Sequence, residues 1–151
     1  MRDLDMTILD ASADSVTGNQ LRAAASHFPT GVAIVSSLDN NNEPVGCTIS
    51  SFLSASLEPP IVAVSLGQTT STVSHLIAAG KFGISVLSSS QGGIAAVFAD
   101  REVDHYERFA GVRWRPGRSG VPLLDNGLSS LEGVVHDVIP TGDHFLILGH
   151  V

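Results

Sequence analysis

Four runs rich in β-branched residues punctuate the chain: VAIVSSL (32–38), IVAVSLG (61–67), KFGISVL (81–87) and HFLILGHV (144–151). Such runs read as strands. Parallel neighbours would each need a long, usually helical crossover, and these runs do not alternate regularly with helices. DNNNEP (39–44) and TGD (141–143) are turn sequences, with residues suited to hairpin loops. The pattern predicts a mainly β, antiparallel barrel with a few short helices, not a doubly wound parallel sheet.

Around these strands the sequence predicts a helix over 18–27, stopped by the Phe28–Pro29 step because the residue before proline leaves the α region. GCTISSFLSASLEPPIV (46–62) begins as the return strand of a hairpin. IVAVSLG, almost wholly apolar, reads as a strand covered on both sides. A short helix follows QTTST (68–72), with Val73, Leu76 and Ile77 as its apolar stripe, Thr70 or Ser71 as cap and Gly80 as stop. SSSQGGIAAVFAD (88–100) suggests another helix that buries Ile94, Val97 and Phe98. Residues 101–127 read as irregular, and 128–140 as a strand. Residues 1–17 form an expected arm and 18–151 a single domain.

The length of 151 residues suits one domain. A formal charge of −7 argues against nucleic acid as a partner, since phosphate binding needs a concentrated basic patch. Cys47 is the one cysteine, so no internal disulfide forms, which fits a reducing compartment. No apolar stretch is long enough to span a membrane, and the acidic N-terminus is unlike a secretory signal. A cytoplasmic location is the expectation.

Dinucleotide, P-loop and nucleophile-elbow motifs are absent. Six histidines without H-x-x-x-H spacing and a single cysteine make a structural zinc site improbable. Hydroxyl-rich and glycine-rich turns remain. If 46–52 is one strand, Thr48, Ser50 and Phe52 share a face and Cys47, Ile49 and Ser51 the other. That ladder suits a pocket for a flat, polar-edged ligand, or a solvated edge. QTTST leads into a helix whose N-terminal N–H groups and positive dipole end favour phosphate; ordinary capping uses the same hydroxyls. Asp143 can accept a hydrogen bond from His144 or from its own turn.

FPTGVAIV (28–35), GCTISSFLSASLEPPIV (46–62), ST (71–72), KFGISVLSSSQ (81–91), FA (98–99), RFAGVRW (108–114), GVPLL (120–124) and GDHFLILGHV (142–151) occur in that order. In this order and spacing the chain, over residues 20–151, resembles the flavin reductase-like family with an FMN-binding split barrel. The resemblance implies a six-stranded antiparallel split β-barrel of Greek-key topology and a homodimer with flavin sites near its interface. It implies reduction of FMN or FAD by NADH, possibly NADPH, and delivery of reduced flavin to a flavin-dependent monooxygenase. It places Thr30 and Gly31 near the flavin, with Thr48, Ser50, Ser51 and Phe52 on its isoalloxazine and ribityl parts. Ser71 and Thr72 would hold the phosphate, Phe98 and Ala99 would lie beside the flavin, and His144, fixed by Asp143, would face the nicotinamide.

Three departures from the family pattern stand out. Members carry a further strand or tail after the G-x-V block, whereas this sequence ends at Val151, which implies a shortened chain or a more open pocket. Val73 stands where an aromatic is frequent, implying exchangeable flavin. Gly133 follows Glu132 where a cysteine is frequent. Two other readings remain open: a non-catalytic flavin- or heme-binding barrel, and a pyridoxine-phosphate oxidase-like enzyme, which would want more basic residues converging on a substrate phosphate.

Overall fold

The computed structural model describes residues 16–151; residues 1–15 of the expected arm lie outside them. The elements are α1 (Gly18–Ala25), β1 (Ala33–Leu38), β2 (Pro44–Ile49), β3 (Leu53–Leu57), β4 (Pro60–Gly67), α2 (Ser71–Ala79), β5 (Lys81–Val86), α3 (Gly92–Ala99), β6 (Trp114–Pro116), β7 (Pro122–Leu124), β8 (Ser129–Thr141) and β9 (His144–His150). The mainly β, antiparallel expectation holds. Strand count and closure differ from the expected six-stranded barrel. Hydrogen-bonded pairing runs through a seven-stranded sheet in the order β2-β1-β5-β8-β9-β4-β3, and does not close between β2 and β3. β6 and β7 pair separately.

The sheet nevertheless curls. Cys47 and Ile49 of β2 share one core with Val62, Val64 and Leu66 of β4, near the other end of the strand order. Phe82 and Ile84 of β5, Ile147 of β9 and Val73 and Leu76 of α2 complete it. The strand through 46–52 stops at Ile49. Ser51, just beyond the break, donates its hydroxyl to Ser65 O at 2.9 Å and accepts from Ser65 N at 3.0 Å. The Ser51 side chain thus extends the β3–β4 pairing beyond the start of β3.

A second cluster lies under α3, where Phe98 packs with Ile34, Leu87, Phe109 and Leu124. Phe98 is buried as expected, but Val97 is 40% exposed and Ile94 half-buried; the eight-residue α3 buries a narrower stripe than all three residues. Ile77 of α2 is likewise partly exposed, at 37%, while Val73 and Leu76 are buried. The 101–127 segment is more ordered than its composition suggests. Its β6–β7 hairpin docks on buried hydroxyls: Ser36 of β1 donates to Pro122 O, and Ser85 of β5 accepts from Leu124 N at 2.9 Å. Gly80 ends α2 with φ of +66°, a left-handed turn that favours glycine.

α1 differs from the other helices. Its Thr17–Gln20 capping box is complete, yet none of its residues is buried. Among the described residues no helix is long and apolar enough to cross a membrane.

Candidate active site

The break after β2 opens a cleft of about 600 Å³. Thr48, Ser50 and Ser51 line one side, and Ser65–Gly67 at the end of β4 another. Phe98 and Ala99, at the C-terminal end of α3, also line it. It is also lined by the turn Asp143–His144, the residues Thr69 and Thr70 before α2, and three arginines: Arg22, Arg101 and Arg108.

Thr69, Thr70, Ser71, Arg101 and Arg108 also enclose a recess of about 210 Å³. The α2 N-terminus contributes N–H groups that an α-helix leaves unpartnered. Thr70 donates its hydroxyl to Gly67 O at 2.7 Å, shaping the turn rather than capping the helix. Arg108 is buried; its Nη1 donates to Gly46 O at 3.0 Å and its Nη2 to Asp100 O at 2.7 Å. Its Nε is buried without a partner. Among the described residues no carboxylate lies within ion-pair distance of Arg22, Arg101 or Arg108. A buried guanidinium held only by neutral carbonyls keeps its full charge for an anionic ligand.

Across the cleft, Gln68 N donates to Asp143 O at 3.0 Å and Gln68 Nε2 to Gly142 O at 3.0 Å, so the end of β4 seats the turn before β9. His144 Nδ1 lies 2.7 Å from Asp143 Oδ1. That hydrogen bond is the main reason the Asp143 carboxyl lies below its usual range, against a small opposing effect of burial. It also leaves the imidazole Nε2 as the ring's outward nitrogen.

Comparison with known proteins settles the family. The model of the flavin reductase like domain matches residues 25–151. The chain belongs to the flavin reductase-like family. It is 40% identical over 131 residues to a probable flavin reductase of Rhizobium meliloti, covering 87% of this chain and 41% of that protein. It is 37% identical over 139 residues to the stachydrine N-demethylase reductase subunit of the same organism, covering 92% of this chain and 59% of that protein. The chain thus spans about half the length of these relatives. The structure of Streptomyces globisporus NADH:FAD oxidoreductase SgcE6, in complex with NAD and FAD fragments, superposes with a TM-score of 0.81 at 38% identity, covering 92% of this chain and 84% of that one.

Against this flavin reductase-like frame, the residues singled out from sequence fall into four groups. Thr48, Ser50, Ser51, Phe98, Ala99, Asp143 and His144 meet in the large cleft. Thr30, Gly31 and Phe52 line a neighbouring recess of about 220 Å³, which Ser50 joins to the cleft. Ser71 lies at the arginine end. Thr72 is fully buried with its Oγ1 unpartnered, so its hydroxyl is turned into the core and only its backbone N–H belongs to the helix terminus. Two ladder hydroxyls are already engaged: Thr48 donates to Ala95 O at 2.7 Å, and Ser51 bonds to Ser65. Arg22, Arg101 and Arg108 were not singled out. Their signal was scarcity: they are three of only eight Lys and Arg residues, and stand apart from the Arg113–Arg118 cluster. Within that cluster Arg115 pairs with Asp125 at 2.7 Å.

Proposed function

We propose that this chain is an NAD(P)H-dependent flavin reductase that reduces FMN or FAD and passes reduced flavin to a flavin-dependent monooxygenase. The carrying observation is one cleft lined both by the arginines beside the α2 terminus and by the Asp143–His144 pair. The names of relatives support it, among them a reductase subunit of an N-demethylase and an NADH:FAD oxidoreductase.

The donor set fits a phosphorylated flavin. Ser71, the α2 N–H groups, Arg101 and Arg108 hold the phosphate. Ser50 and the backbone at the β2 break meet the ring system's polar edge. Phe98, Ala99, Phe52, Thr30 and Gly31 form the surrounding wall. When both are bound, flavin supplies the electron-accepting ring and nicotinamide the hydride. The chain's own task is to align the rings and exclude water. His144, oriented by Asp143, positions the nicotinamide.

The curled sheet with its opening after Ile49 is read as the family's split barrel. A second copy is the expected cover for β3, an edge strand whose Leu53 and Leu57 are 59% and 87% exposed. Cys47, buried and with its thiol pushed up by burial, fits a reducing cytoplasm.

The test mixes the protein with FMN, FAD or riboflavin and follows NADH and NADPH absorbance. Flavin-dependent oxidation is expected. Flavin or heme binding without oxidation by any flavin would favour the non-catalytic barrel and overturn the reductase reading.

A further inference from the structure

The large cleft is lined by three arginines, and the Proposed function accounts for two of them. Arg101 and Arg108 enclose the recess at the α2 terminus; Arg22 lines only the large cleft. Arg22 lines that cleft together with Asp143 and His144, and its charge is the smallest of the influences on the Asp143 carboxyl. The reaction brings together two phosphorylated nucleotides, and phosphate on each needs a counter-charge. The chain's net charge of −7 would otherwise repel both.

The element that bears Arg22 sharpens the point. α1 has eight residues and buries none of them. A helix that short is marginal in water unless packing supports it. Arg22 sits in its last turn, where a cation also complements the helix dipole. That local effect accounts for a basic residue in the turn, but not for its place on the wall of the cleft beside the nicotinamide-facing pair.

We infer that Arg22 is a specificity-determining residue for the nicotinamide nucleotide, pairing with a phosphate of that dinucleotide while Arg101 and Arg108 serve the flavin. This rests on the flavin reductase reading. The phosphate is the pyrophosphate common to NADH and NADPH or the 2′-phosphate of NADPH, and the two donors distinguish them.

The experiment compares wild type with Arg22→Ala, Arg22→Lys and, as a control on the same helix, Leu21→Ala. It measures kcat and KM with NADH and NADPH at saturating flavin, NAD+ and NADP+ affinity by calorimetry, and flavin Kd by fluorescence. Arg22→Ala is expected to raise the dinucleotide KM and Kd about five- to tenfold. Its kcat and flavin Kd should stay at wild-type values, with Arg22→Lys intermediate and Leu21→Ala neutral. An equal loss with both donors assigns Arg22 to the pyrophosphate; a loss confined to the NADPH pair assigns it to the 2′-phosphate. Unchanged dinucleotide affinity, a parallel rise in flavin Kd, or an equal loss in Leu21→Ala would overturn the inference. Wild-type protein that binds NAD+ yet reduces no flavin would sink the reductase reading alone, with the calorimetry still deciding Arg22. Wild-type protein that binds neither dinucleotide would overturn the Arg22 assignment itself.

Discussion

Tyr106 donates its phenolic hydrogen to Asp39 Oδ2 across 3.0 Å, tying the loop that carries Arg101 and Arg108 to the turn between β1 and β2. Asp39 in turn accepts from Asn41 N and Glu43 N, both at 2.8 Å. The turn is therefore a braced anchor, and the 101–109 loop hangs from it. Tyr106→Phe removes one hydrogen bond and little volume. It should weaken flavin binding about three- to tenfold, the cost of one bond to a charged group, and leave kcat at saturating flavin near wild type. A fluorescence titration with FMN measures it; unchanged affinity would show that the loop needs no anchor there.

The same anchor has a pH signature. Burial alone would raise the Asp39 carboxyl, but the Glu43 and Asn41 N–H groups and the Tyr106 hydroxyl outweigh it, and the net position is below the usual carboxylate value. A folded-state pKa below the unfolded one, about 3.9, stabilises the fold fully above that value. The contribution is lost as pH falls through the folded pKa. Asp39→Asn should therefore melt below wild type at pH 7, and the gap should narrow below about pH 4. A gap of constant size across thermal melts from pH 7 to 3 would refute the assignment.

Gly133 is explained by Phe82. A Cβ at Gly133 would lie 2.4 Å from Phe82 Cζ, and one at Gly149 equally close to the same ring. The fully buried Phe82 ring thus occupies space that side chains on β8 and β9 would need. Gly133→Ala should cost about 1–3 kcal/mol through overpacking. Phe82→Leu in the same chain should return part of that loss by vacating the ring's volume, a non-additivity read from urea unfolding. Additive losses would exclude the clash.

Much of this molecule was legible from local chemistry. The QTTST helix start, the Asp143–His144 turn and the long strands depend on periodicity and turn residues, and the structure places them as read. What was lost depends on contacts distant in sequence. Strand alternation through 46–52 assumed continuity, but the strand ends at Ile49, and Ser51, assigned to the other face, lines the same cleft as Thr48 and Ser50. β6 and β7, three residues each, are too short for alternation to register. Thr48 and Ser51 are hydroxyl residues, but only the fold shows that their hydroxyls serve Ala95 and Ser65. Arg101 and Arg108 lie in an irregular loop, and nothing local announces that the fold brings them to the α2 terminus.

Ser50 and Ser51 make the sharpest test of that difference, because adjacent serines have opposite duties. Ser51 Oγ both donates to and accepts from the Ser65 backbone, fastening the β2–β3 connection to β4. Ser51→Ala leaves a strand N–H and C=O without that partner, and should cost about 1–3 kcal/mol of stability. Ser50 is exposed and lines both the cleft and the adjoining recess. Ser50→Ala should leave the melting temperature near wild type and weaken flavin binding a few-fold, on the order of one neutral hydrogen bond. Melting curves and flavin titrations on the two variants should thus separate cleanly, Ser51 in stability and Ser50 in affinity. If Ser51→Ala melted like wild type, the side-chain bridge would not hold the curled sheet together. If Ser50→Ala bound flavin normally, the polar edge of the ligand would have to meet the backbone at the break, and the hydroxyl ladder would be a consequence of folding alone.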